Sequence, residues 1–316
     1  VGVVDVFWHA KPYVSAAEYR SFSGPVVPLA LMPKRVWTND ETFTARIQIA
    51  QYSGKPMANA LPEWRIVDAA GKTHAAGKMP ATTIPVGNDN SPGTITMPLA
   101  PFTRATMLTL HVTLAGTAWQ NSWNFWVYPA ANNDNKSTNV LVCHTRDEAM
   151  AGLAKGASVL LLPARGQIIG NTHGSFQPIF WNKAWFPGQK EHTLGMCIDH
   201  KHPALAGFPT DSHADWQWWD LMNRSKPLVR DALPADLHPI VQPIDDWNTC
   251  RRLGMVVEAR VGPGRLVIAT CDLESDLAAR PVARQLRASL LAYMGSPSFK
   301  PTGTLIADHL ATLMTS

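Results

Sequence analysis

Hydrophobic and polar residues alternate along most of the first 130 positions. The apolar members of the two clearest runs are Phe43, Ala45, Ile47 and Ile49, then Leu108, Leu110, Val112 and Leu114. Turn-forming clusters separate such runs at 39–40, 53–54, 68–71, 88–93 and 115–121. Strands with one apolar face at these intervals are typical of an antiparallel sandwich, so we expect an Ig-like module of about seven strands over 25–130.

The first 24 residues carry a different pattern. Val1–Phe7 has the composition of a short buried strand, and Ser15 with Glu18 three residues later is a capping box. A short helix through Tyr19 and Phe22 should follow. One strand and one helix cannot bury themselves, so we expect this piece to belong to a larger body and the chain to begin inside a longer polypeptide.

A polar stretch at 131–138 is expected to be a linker, after which strands alternate with helices. Val140–Cys143, Arg146–Lys155 and Val159–Leu162 predict strand, helix and strand, an order that implies a parallel sheet with a crossover helix. Further elements are a strand at 240–244, a hairpin whose turn is 261–264, and a helix at 277–294. We therefore predict an α/β domain of flavodoxin or amidotransferase type over 139–296, followed by a C-terminal tail, 297–316.

Composition narrows the classes of function. Of the 316 residues, 46% are hydrophobic and 16% charged, and the formal charge of +4 includes no Lys/Arg block. Nucleic acid is therefore not an expected partner. No apolar run reaches the roughly 18 residues of a membrane span, so a membrane is not expected either. The cysteines are spaced for neither a metal site nor a disulfide framework, and we expect scattered buried thiols: Cys143, Cys197, Cys250 and Cys271.

Common catalytic motifs do not occur. The sequence has no GxSxG elbow, no cysteine flanked by glycines, no P-loop, no GxGxxG and no HExxH. We therefore assign no catalytic residue, no metal site and no cofactor to this chain.

Two polar groups have both a structural and a functional interpretation. Asp199, His200 and His202 contain metal-ligand side chains, but no zinc-like spacing, so hydrogen bonds of the local histidines to the backbone are favoured. Asp245 and Asp246 end a strand, where α/β sheets bind ligands. The favoured interpretation is a cap or a pair with Arg251 or Arg252, and the alternative is ligand contact by Asp246 and the adjacent Trp247.

The tryptophan segment, residues 215–220, is the most suggestive local feature. Trp216, Trp218 and Trp219 can form a stacking surface for sugar rings or fill a joint between domains, and the structural role is favoured. Nearby His213 belongs to the same candidate sugar-contact set. The same ambiguity applies to Phe176, Phe180, Trp181, Trp185 and Phe186.

Several stretches in order resemble the C-terminal region of bacterial family-two glycoside hydrolases, the β-galactosidase and β-mannosidase relatives. In the first half they are Gly2–Asp5, Lys11–Tyr13, Pro25–Leu29 and Lys34–Glu41. In the second half they are Phe180–Asn182, His192–Gly195, His202-Pro203, Phe208–Thr210, His213, Trp216–Trp219, Asp245–Trp247, Arg252–Gly254 and Asp272-Leu273.

This resemblance implies that residues 1–24 are the last strand and helix of a TIM barrel whose catalytic glutamates, which perform retaining hydrolysis, lie upstream. It implies an amidotransferase-like domain that has lost its catalytic elbow, and a periplasmic or secreted location. Trp8 and His9 then fall on the last barrel loop, where they either touch substrate or bridge to the final helix.

The leading hypothesis is thus a non-catalytic accessory region of a glycoside hydrolase that supports the upstream barrel of the same polypeptide and contacts oligosaccharide. Three alternatives stay open: an independent carbohydrate-binding protein, a small hydrolase using Asp, His or a metal, and an interface module that forms a homo-oligomer.

Overall fold

The computed structural model describes residues 2–131, 139–176, 193–246 and 249–315. The chain divides into two compact units, Val1–Pro129 and Ala130–Ser316. It is rich in β-strands, which form several sheets, and has few helices.

The described part of the first unit consists of one helix and ten strands. They are α1 (Ala16–Phe22), β1 (Val26–Leu31), β2 (Val36–Thr38), β3 (Thr42–Gln51), β4 (Met57–Ala60), β5 (Pro62–Asp68), β6 (Thr73–Lys78), β7 (Thr82–Ile84), β8 (Gly87–Pro98), β9 (Thr106–Leu114) and β10 (Gln120–Tyr128). One sheet has the order β1-β3-β8 and another β2-β10-β9-β5-β6, while β4 pairs with β7.

The apolar faces of the two larger sheets meet in one core. Every apolar position of the two alternating runs named above is buried. Phe43 of β3 stacks on Phe125 of β10, with 4.2 Å between ring centroids. Residues of β3, β8, β5, β9 and β10 share this core cluster. The period-two pattern therefore produces two sheets packed face to face.

The prediction of a buried strand over Val1–Phe7 is wrong. The side chains of Val6 and Phe7 are exposed, and the described residues form a turn in which the Asp5 carboxylate accepts the N–H groups of Phe7 and His9 at 2.8 and 2.9 Å. That carboxylate supplies the hydrogen bonds a neighbouring strand would have made.

The capping box at Ser15 is confirmed. The N–H of Glu18 donates to Ser15 Oγ at 3.2 Å, and the N–H of Ser15 donates to the Glu18 carboxylate at 2.7 Å. These two bonds satisfy N–H groups that have no partner within the helix. Helix α1 follows, and none of its residues is buried.

The turn expected at 88–93 is instead part of β8. Pairing with β3 shifts register there, and Asp89 adopts a positive φ of 62°. The Asn90 side chain donates to the carbonyls of Ile49, Pro85 and Gly87. Side chains that usually favour a turn thus stabilise a bulged strand.

The second unit forms a mixed sheet with helices on both faces. Its described elements are β11 (Val140–Cys143), α2 (Arg146–Ala154), β12 (Ser158–Leu161), β13 (Thr193–Ile198), α3 (Trp218–Asn223), β14 (Leu228–Val229), β15 (Val241–Asp245), β16 (Leu253–Gly254), β17 (Val256–Val261), β18 (Gly264–Ala269), α4 (Pro281–Met294), β19 (Thr304–Leu305) and α5 (Ala307–Leu313). The sheet order is β11-β12-β18-β17-β15-β13, with β19 beside β17. β11, β12 and β18 run parallel, as the strand–helix–strand order predicted for the first two.

The helices lie on opposite faces of this sheet. Leu153 of α2 packs in the same core cluster as Val257 and Ala259 of β17, and α5 contributes to that cluster. Glu258, between those two positions, points to the other face. There it accepts the Tyr293 hydroxyl of α4 at 2.7 Å.

Two boundaries differ from expectation. Helix α4 begins at Pro281 rather than Leu277. Proline suits the first position of a helix, because the N–H that it lacks would have no partner within the helix there. The segment 297–316, expected to be a tail, supplies β19, which pairs with β17, and α5. Leu305 of β19 is buried in the core, and so are Leu310 and Leu313, which lie on one face of α5.

Candidate functional site

A crevice opens at the carboxyl ends of the parallel strands β11, β12 and β18. After β12 the chain turns toward the face of α5, where Ile168 pairs with Met314. After β18 it runs to α4 on the opposite face. Adjacent strands whose connections leave to opposite faces form the crevice in which open α/β sheets bind ligands. The cavity here is about 410 Å³, within the range of small-molecule sites.

The polar lining comes from residues that directly follow the strands and from the end of α3. His144 follows β11, Arg165 follows β12, and Asp272 and Glu274 follow β18. Arg224 enters from α3. Leu162, Pro163 and Leu273 form the apolar part of the wall.

Asp272 is held by a buried arginine. Arg280, whose side chain is only 7% exposed, places Nη1 3.1 Å from the Asp272 carboxylate and Nη2 2.7 Å from that of Asp220. The N–H groups of Glu274 and Ser275 also donate to Asp272. Burial alone would raise the pKa of Asp272, but these hydrogen bonds and the Arg280 charge outweigh it and lower the pKa below its ordinary value.

Glu274, which follows β18, is hydrogen-bonded to His144, which follows β11. Its carboxylate lies 2.9 Å from His144 Nε2 and 3.1 Å from Arg287 Nη1. His144 is exposed, whereas the Arg287 side chain is largely covered. Both carboxylates of the lining are therefore paired with an arginine.

The two arginines of the rim are more exposed. Arg165 Nη2 donates to the main-chain carbonyl of Asn223 at 2.7 Å. Arg224 Nε lies 3.2 Å from the Asp220 carboxylate, and its Nη1 is 3.7 Å from Asp272. Guanidinium groups at the mouth of the crevice can bind a planar anion.

The thiols near the crevice are shielded from solvent. Cys143 and Cys271 are both buried, and burial raises the pKa of each, to about 12 for Cys271. A buried thiol with a raised pKa is a poor nucleophile. Cys197 and Cys250 are exposed, so the expectation that all four are buried is wrong for these two.

The tryptophan segment divides between core and surface. Trp218 is fully buried, donates its Nε1–H to Thr210 at 2.8 Å and meets the ring of Phe208 edge-on. Trp216 and Trp219 are 64% and 54% exposed. Trp219 stacks on Phe176 at 6.1 Å between ring centroids. The other four aromatics of that stretch, Phe180, Trp181, Trp185 and Phe186, lie outside the described residues.

The histidines do not converge. His202 Nδ1 accepts the N–H of Ala204 at 3.2 Å and caps a short 3₁₀ turn, as the backbone interpretation predicted. His213 is exposed and pairs through its backbone with Cys197. In the parts of the chain that the structure describes, no three His, Cys, Asp or Glu side chains are arranged to hold a metal ion.

The two neighbouring aspartates serve the local loop. Asp245 forms a two-point pair with Arg251 at 2.8 and 3.1 Å, which confirms the predicted pairing. Asp246 is buried and accepts both the N–H and the hydroxyl of Thr249. Trp247, the remaining member of this candidate site, lies outside the described residues.

Trp8 and His9 lie in the exposed N-terminal turn. Trp8 is 84% exposed and has a φ of 68°, which is rare for a bulky residue. His9 Nδ1 lies 3.4 Å from the Asp5 carboxylate. Of the predicted sugar-contact residues that the structure describes, Trp8 and His9 thus belong to the first unit and the others to the second.

Apart from Asp272, which lies in one of the resemblance stretches, the polar crevice residues were missed because none belongs to a motif. The available signal was positional, since His144, Arg165, Asp272 and Glu274 each come within five residues of the end of a parallel strand. No described helix is long and apolar enough to cross a membrane.

Comparison with solved structures gives only weak similarity. Pseudomonas fluorescens alkylpurine DNA glycosylase AlkC is 14% identical with a TM-score of 0.26, over 34% of this chain and 31% of that one. A Paenibacillus cycloisomaltooligosaccharide glucanotransferase is 10% identical with a TM-score of 0.26, over 47% of this chain and 21% of that one. Parabacteroides merdae β-glucuronidase is 9% identical with a TM-score of 0.25, over 43% of this chain and 21% of that one. The matched part of each is a third of its length or less, and TM-scores of this size do not establish a shared fold.

Sequence comparison is more informative about family. No curated protein matches the chain. A family model described as a domain of unknown function, DUF8488, matches residues 41–129. A second, DUF8487, also described as a domain of unknown function, matches residues 121–315, more than half of the chain. The chain therefore belongs to the DUF8487 family.

Proposed function

We propose that this chain is a non-catalytic accessory region of a glycoside hydrolase, which supports a catalytic TIM barrel in the same polypeptide and contacts its carbohydrate. The observation that carries the proposal is the exposed aromatic surface of residues 6–22. Its members are Val6, Phe7, Trp8, Tyr13, Tyr19 and Phe22, which are between 40% and 85% exposed. A contiguous segment of this kind is typical of a surface covered by another protein body.

The local geometry supports a role in docking. The Asp5 carboxylate closes the turn that presents Phe7 and Trp8, and Trp8 is held in a left-handed conformation. Such strain persists only where the surroundings impose it, and it is concentrated at functional sites. Tyr19 and Phe22 make an edge-on contact on the exposed side of α1, so the surface is already partly ordered.

The finer fold assignments fit this role. Consecutive strands β1 and β2 lie in different sheets, and β2 pairs in parallel with the last strand β10. This arrangement supports an Ig-like sandwich for the first unit. In the second unit, the inert thiols Cys143 and Cys271 support an amidotransferase-like domain without a nucleophile.

The length of the polypeptide in its source tests the proposal. An immunoblot with antibody to this chain should give a band at or above roughly 90 kDa, since a jelly roll, a sandwich and a barrel would together add several hundred residues, the barrel alone about 250. A single band at the chain's own mass of 34.6 kDa would refute it. Within the longer polypeptide, Phe7→Ser with Trp8→Ser should lower the thermal midpoint of the catalytic body, while Tyr52→Ser, at another exposed aromatic, should not.

A second candidate, a stand-alone carbohydrate-binding or oligomerisation module, is favoured by the exposed rings of Trp216 and Trp219. Sedimentation of the isolated chain distinguishes an oligomerisation module from a carbohydrate-binding module. Concentration-dependent dimers that Trp216→Ser abolishes support oligomerisation. A monomer whose Trp219→Ala variant loses oligosaccharide-induced fluorescence quenching supports sugar binding.

A further inference from the structure

The crevice at the carboxyl ends of β11, β12 and β18 has unused hydrogen-bonding capacity of one kind. Asp272 and Glu274, the two carboxylates in its wall, are already bound by Arg280 and Arg287. What remains at the mouth is donor capacity on Arg165 and Arg224. The balance therefore favours a ligand that brings acceptor atoms and negative charge.

A count of the ionic network agrees. Three guanidinium groups and three carboxylates form its ion pairs: Arg224, Arg280 and Arg287 with Asp220, Asp272 and Glu274. A fourth nearby carboxylate, Glu148, is occupied by the N–H groups of His144 and Thr145 at the start of α2. Arg165 lies beside this network, and among the described residues its positive charge has no carboxylate partner.

Arg165 is the residue best placed to meet an anion. Within the described chain its guanidinium has one hydrogen-bond partner, the Asn223 carbonyl. A guanidinium carries five N–H donors in a planar fork that matches a carboxylate or a phosphate. The Arg165 side chain is exposed at the rim, so a ligand reaches it without displacing a buried ion pair.

An aromatic face lies one helical turn away. Asn223, which accepts the Arg165 bond, donates its side-chain amide to the main-chain carbonyl of Trp219 at 2.8 Å. Residues four apart on a helix are neighbours about 6 Å apart on one face. Trp219, whose ring is half-exposed and stacks on Phe176, therefore lies one helical turn before the carbonyl that Arg165 binds, and its ring offers an apolar face on that helix.

We propose that this crevice binds an acidic sugar of monosaccharide size, with the carboxylate or phosphate group on Arg165 and Arg224 and the sugar ring toward Trp219. The volume of about 410 Å³ accommodates one such ring. The site is independent of the aromatic surface of residues 6–22, so its failure would leave the docking role untouched.

Calorimetric titration of the whole chain tests the proposal with four probes: glucuronate, glucose 6-phosphate, glucose and inorganic phosphate. At least one acidic sugar should bind, and glucose and phosphate should each bind at least tenfold more weakly. The stronger of the two acidic sugars identifies the anion. Failure of both to bind, or equal binding of glucose or phosphate, would overturn the proposal.

Variants locate the site. Arg165→Gln should weaken binding of the acidic sugar roughly tenfold or more, the loss expected when a charge-assisted fork is removed. Ala164→Trp, at another exposed residue of the lining, should block the crevice without touching an ion pair. Arg260→Gln is the matched control, because Arg260 is exposed and lies far from the crevice in sheet register, opposite Arg265 at the start of β18. Unchanged binding in both test variants with native circular dichroism would show that the ligand lies elsewhere.

Discussion

The hydroxyl of Tyr293 donates to Glu258 at 2.7 Å and ties helix α4 to strand β17 across a nearly dry interface. Tyr293 is 5% exposed and the Glu258 side chain 13%. Burial and the adjacent Glu258 carboxylate together raise the pKa of Tyr293 above its ordinary range, so the phenol remains a donor at every pH where the protein is folded. The Glu258 carboxylate depends on that donor, because its other neighbour, His202 Nε2, is 3.5 Å away.

Replacing Tyr293 with Phe should therefore destabilise the second unit by about 1.5–3 kcal/mol, the usual cost of losing a hydrogen bond to a buried charged group. The change is measurable as a lower urea midpoint with unchanged m-value. Thr312→Val is the control, since it also removes a hydroxyl, one that donates to the His309 carbonyl on the exposed face of α5. That variant should stay within about 0.5 kcal/mol of the parent.

Arg251→Gln should be more costly. It leaves the Asp245 carboxylate, whose side chain is 2% exposed, without its two-point partner. Breaking a buried pair on one side costs about 3–5 kcal/mol. The same exposed-arginine control, Arg260→Gln, should change the free energy of unfolding by no more than about 0.5 kcal/mol.

The pH dependence of the pair gives a second check. Burial on its own raises the pKa of Asp245, but hydrogen bonds from Arg251 and Thr249 outweigh it, so the pKa lies below its ordinary value. The pair then contributes stability above the ordinary aspartate pKa and loses it as pH falls through the lowered one. The difference in stability between the parent and Arg251→Gln should be full at pH 7, narrow as pH falls below about 4, and close only below the lowered pKa; a gap that is constant down to pH 3 would contradict this.

Much of the secondary structure was predictable because, in those segments, residues close in sequence determine the conformation. Ser15 with Glu18, and the alternation from Phe43 to Ile49, depend on nearest neighbours and on one buried face. Val140–Cys143 forms a strand as expected, because a short continuous apolar run before a helix is typical of a buried strand in a parallel sheet. Val6 and Phe7 have the same composition, yet Asp5 diverts that segment into a turn.

The site was less predictable, since it depends on distant segments. Arg165 and Asp272 line the same crevice only because β12 and β18, more than 100 residues apart in sequence, are neighbours in the sheet. The tryptophan segment shows the same limit. Three similar side chains divide into buried Trp218 and exposed Trp216 and Trp219 through the start of α3, which the sequence pattern did not predict.

Asp215 should respond to pH in the opposite direction to Asp245. Burial raises its pKa to about 6, although Gln217 and Thr210 donate hydrogen bonds to it. A carboxyl whose pKa is higher in the folded state binds its proton more tightly there, so stability falls as pH rises from the ordinary value toward 6. Asp215→Asn should thus stabilise the second unit at pH 7.5, by on the order of 1–2 kcal/mol, and have little effect at pH 4.

Thermal midpoints of the parent and Asp215→Asn at the two pH values measure this difference. Asp236→Asn serves as control, because Asp236 is exposed in the same unit, and its variant should follow the parent at both. A stabilisation of equal size at pH 4 and 7.5 would mean that the amide improves local packing and that titration of Asp215 is not the cause.

The four thiols should separate into two kinetic classes. Cys197 and Cys250 are exposed, whereas Cys143 and Cys271 are buried and have raised pKa values. Because the thiolate is the reacting species, an aromatic disulfide reagent at pH 8 should titrate two thiols promptly and the other two only after unfolding. Cys197→Ala should reduce the prompt count to one, and Cys271→Ala should leave it at two. Prompt reaction of a third thiol in the native chain would place a reactive cysteine beside the crevice, and the non-catalytic assignment of the second unit would then have to be abandoned.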